Sequence, residues 1–184
     1  MKILGISGSL RKSSLNSNLL GAGSALLEKP AELETYDLAN IPLYNEDVES
    51  ESRPGAVQSW LDAIEGSEAI LFATPEYNHS ISGVLKNAID WASRPAFKSV
   101  LANKPAGILS AAMTPVGGAR AQTHLREILA STLTPVYPAP DYLLPKAQNA
   151  FDGDGILNDE TAERRLRRYM NDFVRWVLVV SDTN

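Results

Sequence analysis

Short apolar runs alternate five times along the chain with stretches in which apolar residues recur at helical spacing. Three of the runs carry almost no charge, as is typical of parallel strands that helices cover on both faces. In chain order, the predicted strands are residues 3–6, 31–38, 69–73, 106–110 and 133–137. This alternation, without internal repeats or linkers, predicts an α/β fold: a doubly wound parallel sheet with helices on both faces, formed as a single domain over residues 1–184.

Two of the helical stretches have clear boundaries. Apolar residues share one face across residues 57–64, with Pro54 near the start and Gly66 just past the end. A final helix is predicted to begin near Asn158 or Asp159. Its apolar face is expected at Leu166, Met170, Phe173, Val174 and Val177. The stretch between the last predicted strand and this helix is predicted to be irregular.

Polar loops follow the first, third and fourth predicted strands, over residues 7–17, 74–80 and 113–120. The carboxyl ends of parallel strands meet at one edge of the sheet, so these loops are expected to lie together. With the strand order 2-1-3-4-5, the first two loops flank the point between strands one and three where ligands bind. Gly117 and Gly118 in the last loop would let the backbone approach a flat ligand, or simply allow positive φ in a turn.

The first loop has the composition of an anion site. Five of its eleven residues are serine, Arg11 supplies a guanidinium, and a helix pattern begins at Leu15. Free N–H groups at a helix start, hydroxyls and a guanidinium together favour phosphate. A triphosphate loop would need glycine immediately before Lys12-Ser13, and no G-x-G-x-x-G motif follows the strand. A monophosphate site is therefore predicted, with a serine-rich connector of no further function as the alternative.

Composition limits the function further. The chain has a formal net charge of −5 and a pI near 5.1, which argues against nucleic acid as a partner, because phosphate backbones need a basic face. Five arginines between Arg164 and Arg175 are the exception and indicate a solvated or partner-facing helix surface. Cysteine is absent, and no apolar run approaches the ~18 residues of a membrane span, so a cytoplasmic protein without a membrane contact is expected.

Several longer motifs occur together and in order. They are Gly8-Ser9-Leu10-Arg11-Lys12-Ser13-Ser14-Leu15-Asn16, Asp37-Leu38-Ala39-x-Ile41-Pro42-Leu43-Tyr44, Pro75-Glu76-Tyr77-Asn78, Gly83-x-Leu85-Lys86-Asn87-Ala88-Ile89-Asp90-Trp91 and Gly117-Gly118-Ala119-Arg120-x-Gln122-x-His124-Leu125-Arg126. In these motifs the chain resembles, over nearly its whole length, the NADPH-dependent FMN reductase family of flavodoxin-like proteins, which includes quinone, chromate and azo-dye reductases. Each motif alone is weak, whereas their joint occurrence is highly specific.

The resemblance implies bound FMN, with NADPH or NADH as the electron donor. The residues implied as cofactor-binding are Ser9, Arg11, Ser14, Asn16 and Ser17 for the phosphate, Pro75, Glu76, Tyr77 and Asn78 for the isoalloxazine edge, and Ser110 and Gly117 for its other side. The flavin carries the chemistry, so no catalytic residue is assigned, and Tyr77 is a candidate for stacking on the acceptor. At His79 and Thr123 many family members have aromatic residues, so subunit contacts made by those aromatics, and a tetramer, stay open.

The predicted function is that of an NAD(P)H-dependent FMN oxidoreductase that reduces quinones or similar small acceptors, such as FMN, chromate or azo compounds. Donor and acceptor would use the one crevice in turn, in a ping-pong cycle. The resemblance also implies a homodimer, expected through residues 82–93 and 120–131, with Trp91 as a large apolar contact. Two alternatives stay open: a flavodoxin-like FMN electron carrier without substrate turnover, and a binding protein for another phosphorylated ligand.

Overall fold

The structure, a computed structural model, describes residues 1–181. Its strands form one parallel sheet in the order β2-β1-β3-β4-β5. The strands are β1 (Lys2–Ser7), β2 (Glu32–Tyr36), β3 (Ala69–Ala73), β4 (Ala106–Ala111) and β5 (Tyr142–Leu144). The strand order and the parallel pairing confirm the predicted doubly wound fold.

Six α-helices and one short 3-10 helix (Ala147–Asn149) connect and follow the strands within residues 1–181. The α-helices are α1 (Leu15–Ala25), α2 (Glu46–Glu51), α3 (Gly55–Glu65), α4 (Gly83–Ala92), α5 (Ala119–Ser131) and α6 (Glu160–Ser181). Over the same residues, no helix has both the length and the apolar character needed to cross a membrane.

Two separate apolar cores cover the two faces of the sheet. One face packs against α3, α4 and α5, and the other packs against α1 and α6. Neighbouring strand residues divide between the cores: Ile3 belongs to the second core and Leu4 to the first, and Leu71 and Phe72 divide in the same way. Because successive strand residues point to opposite faces, a strand between two helix layers must be apolar at every position. The uninterrupted apolar runs in the sequence have this cause.

The helix ends follow the capping chemistry of the sequence. Pro54 is the N-cap of α3 and Gly66 its C-cap, as predicted. Ser82 caps α4, its hydroxyl accepting from the third helical N–H at 3.3 Å, so Ile81 precedes the helix. Asp159 accepts from the second and third N–H groups of α6 at 2.9 Å, which confirms the predicted start of this helix.

The prediction of a fifth strand at residues 133–137 is wrong. Leu133 adopts a φ of +58°, and Val136 forms only an isolated bridge to Ala106. Pro135 and Pro138 have no N–H for a ladder, so this segment cannot continue to pair with β4. The strand beside β4 is β5, which lies in the stretch that was predicted to be irregular.

Candidate functional site

The three polar loops meet in a cavity of about 230 Å³ at the carboxyl edge of the sheet. We call them the phosphate loop (residues 7–17), the proline loop (residues 74–80) and the glycine loop (residues 113–120). The cavity is lined by Ser9, Arg11, Ser14, Leu15, Asn16, Pro75, Glu76, Tyr77, Ala111, Ala112, Met113 and Thr114. Seven of the eleven residues predicted to bind the cofactor are in this lining, whereas Ser17, Asn78, Ser110 and Gly117 are not.

The phosphate loop folds around its own hydroxyl groups. Ser14 is the N-cap of α1, and its hydroxyl accepts from the N–H of Ser17 at 3.2 Å. The hydroxyl of Ser7 accepts from the N–H of Ser9 at 3.3 Å and from the hydroxyl of Ser17 at 3.0 Å. Arg11 is exposed at the cavity. Ser9, Arg11, Ser14 and the first turn of α1 therefore line the same cavity and supply the types of donor that a phosphate site needs.

The side chain of Asn16 is engaged in hydrogen bonds to the end of β4. Its amide group donates to the carbonyl of Ala111 at 3.0 Å, and its amide oxygen accepts from the N–H of the same residue at 2.9 Å. The side chain is buried and both of its polar groups are engaged. It fastens α1 to the end of β4, and the group of Asn16 available to an anion is its first-turn backbone N–H.

The proline loop ends in a tight turn. Tyr77 and Ser80 exchange backbone hydrogen bonds of 2.9 and 3.0 Å, and both residues between them, Asn78 and His79, have positive φ, at 50° and 65°. Positive φ at both central positions is the type I′ arrangement, for which asparagine is well suited. Asn78 and His79 are exposed at the tip of this turn and lie outside the cavity lining, whereas the ring of Tyr77 stands at the cavity mouth, 46% exposed.

Glu76 connects the proline loop to the start of α5. One carboxylate oxygen accepts from the backbone N–H of Arg120 and the other from its guanidinium, both at 3.1 Å. The Glu76 side chain is 11% exposed, and the side chain of Arg120 is 50% exposed. A carboxylate at a helix N-terminus is favoured by the free N–H groups and the helix dipole. Glu76 thus fixes the distance between the two loops that form the sides of the cavity.

The glycine loop is supported from below by a buried serine. Gly117 and Gly118 have φ values of +66° and +90°, which fulfils the expectation that they permit a turn. The hydroxyl of Ser110 donates to the carbonyl of Gly117 at 2.6 Å and accepts from the amide of Gln122 at 2.8 Å. Ser110 is fully buried, so it shapes this loop and does not line the cavity.

Five lining residues were not assigned to the site from the sequence, namely Leu15, Ala111, Ala112, Met113 and Thr114. Ala112, Met113 and Thr114 follow β4 directly, and Met113 is 59% exposed at the rim. Their position immediately after a strand at the carboxyl edge was a signal that could have found them, because the first residues after such strands are nearest to the crevice.

The motif at residues 83–91 acts through α4 and does not reach the cavity. Asn87 accepts from the N–H of Tyr44 and donates to the carbonyl of Pro42, both at 2.8 Å, and the indole N–H of Trp91 donates to the same carbonyl at 2.8 Å. Trp91 is 1% exposed and lies edge-on against Tyr44. The expectation that Trp91 is a subunit contact is therefore wrong, because the ring is buried within its own chain.

The chemistry of the site fits FMN. Arg11 and the start of α1 match a phosphate dianion, and the small Ala111 and Ala112 leave a slot beside Pro75 for a flat ring. At Gly118 a Cβ atom would come within 2.7 Å of the Ser110 Cβ, so the close approach of these two backbones requires glycine. Among residues 1–181, no three His, Asp or Glu side chains gather as a metal ion requires.

A doubly wound sheet with a serine- and arginine-bearing loop and a cavity at its switch point has the architecture of proteins that bind a phosphorylated cofactor. The chain belongs to the NADPH-dependent FMN reductase family, whose sequence profile matches residues 1–149. This membership confirms the predicted enzyme class, an NAD(P)H-dependent oxidoreductase with FMN as its cofactor.

Individual relatives agree over almost the full length. The chain is 45% identical to an NAD(P)H-dependent FMN reductase of Pseudomonas aeruginosa, covering 96% of this chain and 95% of that one. It is 38% identical to a quinone reductase of Pseudomonas putida, with 92% and 91% covered. Among solved structures, the NAD(P)H:(acceptor) oxidoreductase FerB of Paracoccus denitrificans has a TM-score of 0.86 at 34% identity, with 96% of each chain covered.

Proposed function

We propose that this protein takes hydride from NAD(P)H and delivers it to quinones or similar small acceptors, with FMN held in the crevice between the three loops. One observation carries the proposal: an exposed guanidinium, a capped helix start and residues of all three polar loops line a single cavity. The quinone reductases among its relatives, from Pseudomonas putida and Solanum tuberosum, support the choice of acceptor.

In this proposal the phosphate loop holds the FMN phosphate. Arg11 contributes a charge-assisted hydrogen bond, and Ser9 and Ser14 contribute hydroxyl donors. Ser17 acts indirectly, since its hydroxyl donates to Ser7 and stabilises the loop. The backbone N–H groups of the first turn of α1, including that of Asn16, complete the anion site.

The slot for the ring lies between the proline loop and the glycine loop. Pro75 and Tyr77 form one side, and Ala112 and Met113 the other. The roles of Glu76, Ser110 and Gly117 are indirect, since they fix the spacing of the two loops. Asn78 would contribute only through the turn that presents Tyr77.

Bound FMN supplies the hydride chemistry, and the chain's own residues bind and orient the reactants and limit the access of water. Tyr77 is the side chain placed to stack on an acceptor, since its ring stands partly exposed at the mouth of the cavity. No acid or base from the chain is needed when a quinone takes its protons from water.

We further propose a homodimer that works in the cytoplasm. Apolar side chains are exposed on the proline and glycine loops at Tyr77, Met113 and Val116, by 46%, 59% and 39%. The cavity of about 230 Å³ is smaller than the ~300–1,000 Å³ of typical ligand pockets, so a bound flavin ring would project from it and favour cover by a second copy. The absence of cysteine supports the cytoplasmic location. A monomeric mass by light scattering at micromolar concentration would contradict the dimer.

The decisive experiment is steady-state kinetics of the FMN-loaded protein with NADPH and a quinone. With one crevice used in turn, initial rates at several fixed quinone concentrations should give parallel double-reciprocal lines against NADPH. Intersecting lines would mean that both substrates bind together and would refute the single-crevice cycle. Bound flavin without NADPH oxidation would instead identify an electron carrier, and a purified protein that takes up no flavin would refute the proposal.

A further inference from the structure

A second cavity, of about 570 Å³, shares no lining residue with the flavin crevice. It arises because two separate segments pair with β4: Val136 pairs with the start of β4 through an isolated bridge, and β5 pairs with its end. Between them, residues 137–141 leave the sheet and run outward, and the space below them is closed by α6. We call this space the α6 cavity.

The walls of the α6 cavity are aromatic and fixed. Tyr137, Tyr142 and Tyr169 line it together with Pro138 and Pro140. The hydroxyl of Tyr169 donates to the carbonyl of β4 residue 108 at 3.0 Å and accepts from its N–H at 2.9 Å, and the hydroxyl of Tyr142 donates to the carbonyl of residue 162 at 3.0 Å. Burial raises the pKa of Tyr142 to about 12 and raises that of Tyr169 as well, so both rings stay neutral and tethered. The cavity is therefore formed before any ligand arrives.

Guanidinium groups stand on one side of these rings. Arg165 lies over the Tyr142 ring at 5.2 Å and donates to the carbonyl of residue 143 at 3.2 Å. Arg168 is 86% exposed and forms a loose ion pair of 3.6 Å with Asp172. A guanidinium has five N–H donors, so both side chains keep donors for a further acceptor.

The lining of the α6 cavity carries two arginines, Arg165 and Arg168, and two aspartates, Asp141 and Asp172. Both carboxylates are already paired: Asp141 with Arg126 at 2.7 Å, and Asp172 with Arg168 and Arg175. Arg165 donates to a backbone carbonyl, so its charge is available to a bound anion. The two arginines of the lining belong to the arginine run of α6, which the flavin crevice does not use.

We propose that the α6 cavity is a binding site for a small aromatic carboxylate, separate from the flavin crevice. The ring of the ligand lies against Tyr137 and the prolines, and its carboxylate binds the guanidinium groups of Arg165 and Arg168. Planar guanidinium and carboxylate groups match in two parallel hydrogen bonds, and aromatic walls bind flat rings well. A ligand without a carboxylate would form no charge-assisted hydrogen bond with the two guanidinium groups.

The test is calorimetric titration of the FMN-loaded protein with naphthalene-2-carboxylate, beside the uncharged naphthalene-2-carboxamide. We expect saturable binding of one carboxylate per chain, with the amide about tenfold weaker or more. Binding should also change the emission of Trp176, whose ring centroid lies 5.4 Å from that of Tyr137. No saturable binding of the carboxylate, or equal binding of the amide, would overturn the proposal.

Matched variants locate the site. Arg165→Gln and Arg168→Gln should each weaken carboxylate binding about tenfold, since each removes a charge-assisted contact. Arg164→Gln is the control, because Arg164 lies on the same helix, bonds to Thr161 and does not line the cavity. Circular dichroism checks that each variant is folded, and Arg165→Lys, which keeps the charge, should bind better than Arg165→Gln. A carboxylate that perturbs the flavin absorption and binds Arg165→Gln unchanged would lie in the crevice, and the proposal would fail.

Discussion

The two sides of the cavity proposed to bind the flavin are built differently. On the phosphate side, Arg11 is exposed and the hydroxyl contacts within the loop are long, at 3.3 Å for Ser7 with Ser9 and 3.4 Å for Ser9 with Arg11. On the ring side, Ser110 holds the glycine loop at 2.6 Å and is fully buried, and Glu76 joins the two loops at 3.1 Å. The difference matches the two parts of the ligand, because a phosphate is held by charge at long range and a flat ring needs a slot of fixed width.

The largest expected effect is on the ring side, at Gly118. In Gly118→Ala the new Cβ would meet the Ser110 Cβ at 2.7 Å, and a φ of +90° disfavours any side chain. We expect a loss of about 2–4 kcal/mol in the free energy of unfolding, measured by denaturant titration. The matched control is Gly21→Ala in α1, where a Cβ meets nothing within 4 Å and should gain up to about 1 kcal/mol. Equal stability of the two variants would mean that the glycine loop is not constrained by Ser110.

The phosphate side should respond in binding and not in stability. Arg11→Ala removes one charge-assisted contact to the FMN phosphate, worth about 1.5–3 kcal/mol, or about ten- to a hundredfold in the FMN dissociation constant. The unfolding free energy of the flavin-free protein should stay unchanged, because Arg11 is exposed. Lys12→Ala is the control, since Lys12 is exposed next to Arg11 and does not line the cavity. If FMN binds Arg11→Ala as tightly as the parent, the phosphate site lies elsewhere.

Glu76 should combine both kinds of effect. Glu76→Ala leaves the N–H of Arg120 without its carboxylate and releases the proline loop from α5. We expect the free energy of unfolding, measured by denaturant titration, to fall by about 1–2 kcal/mol; this figure allows for solvent screening of the half-exposed guanidinium. FMN binding, measured by flavin titration, should also be weaker. Asp90→Ala breaks the exposed i,i+4 pair with Lys86 and should cost about 0.5 kcal/mol or less. Similar losses for both would show that the Glu76 contact is an ordinary surface pair.

The smallest effect is expected at Tyr77. Its backbone holds the turn with Ser80, so Tyr77→Leu should fold. The apolar leucine side chain should still close that side of the slot, so FMN binding should be largely retained. Loss of the aromatic ring at the cavity mouth should raise KM for a quinone about twofold, roughly 0.5 kcal/mol, with little change in kcat. Tyr77→Phe should retain the parent KM. An unchanged KM in both variants would remove Tyr77 from the acceptor site.

The sequence by itself determined the layers of the fold and the edge of the sheet at which the polar loops meet. Apolar runs such as residues 69–73 identified central strands, because a strand between two helix layers must be apolar on both sides. The order of strand, polar loop and helix then placed the phosphate, proline and glycine loops at one edge, because parallel strands all end there. Gly117 and Gly118 could also be interpreted locally, since positive φ is a property of the residue itself.

The tertiary structure alone decided which of the motif residues line the cavity and which are engaged elsewhere in the chain. Asn16 is bound by Ala111, 95 positions away, and Trp91 by Pro42, 49 positions away. Ser110 is likewise buried under the glycine loop instead of lining the slot. The fifth strand was predicted at the wrong place for a similar reason. The segment that pairs with β4 is determined by register and by available N–H groups, and not by the apolar character of residues 133–137. Local patterns report what a residue could do, and long-range hydrogen bonds decide which of those options the fold uses.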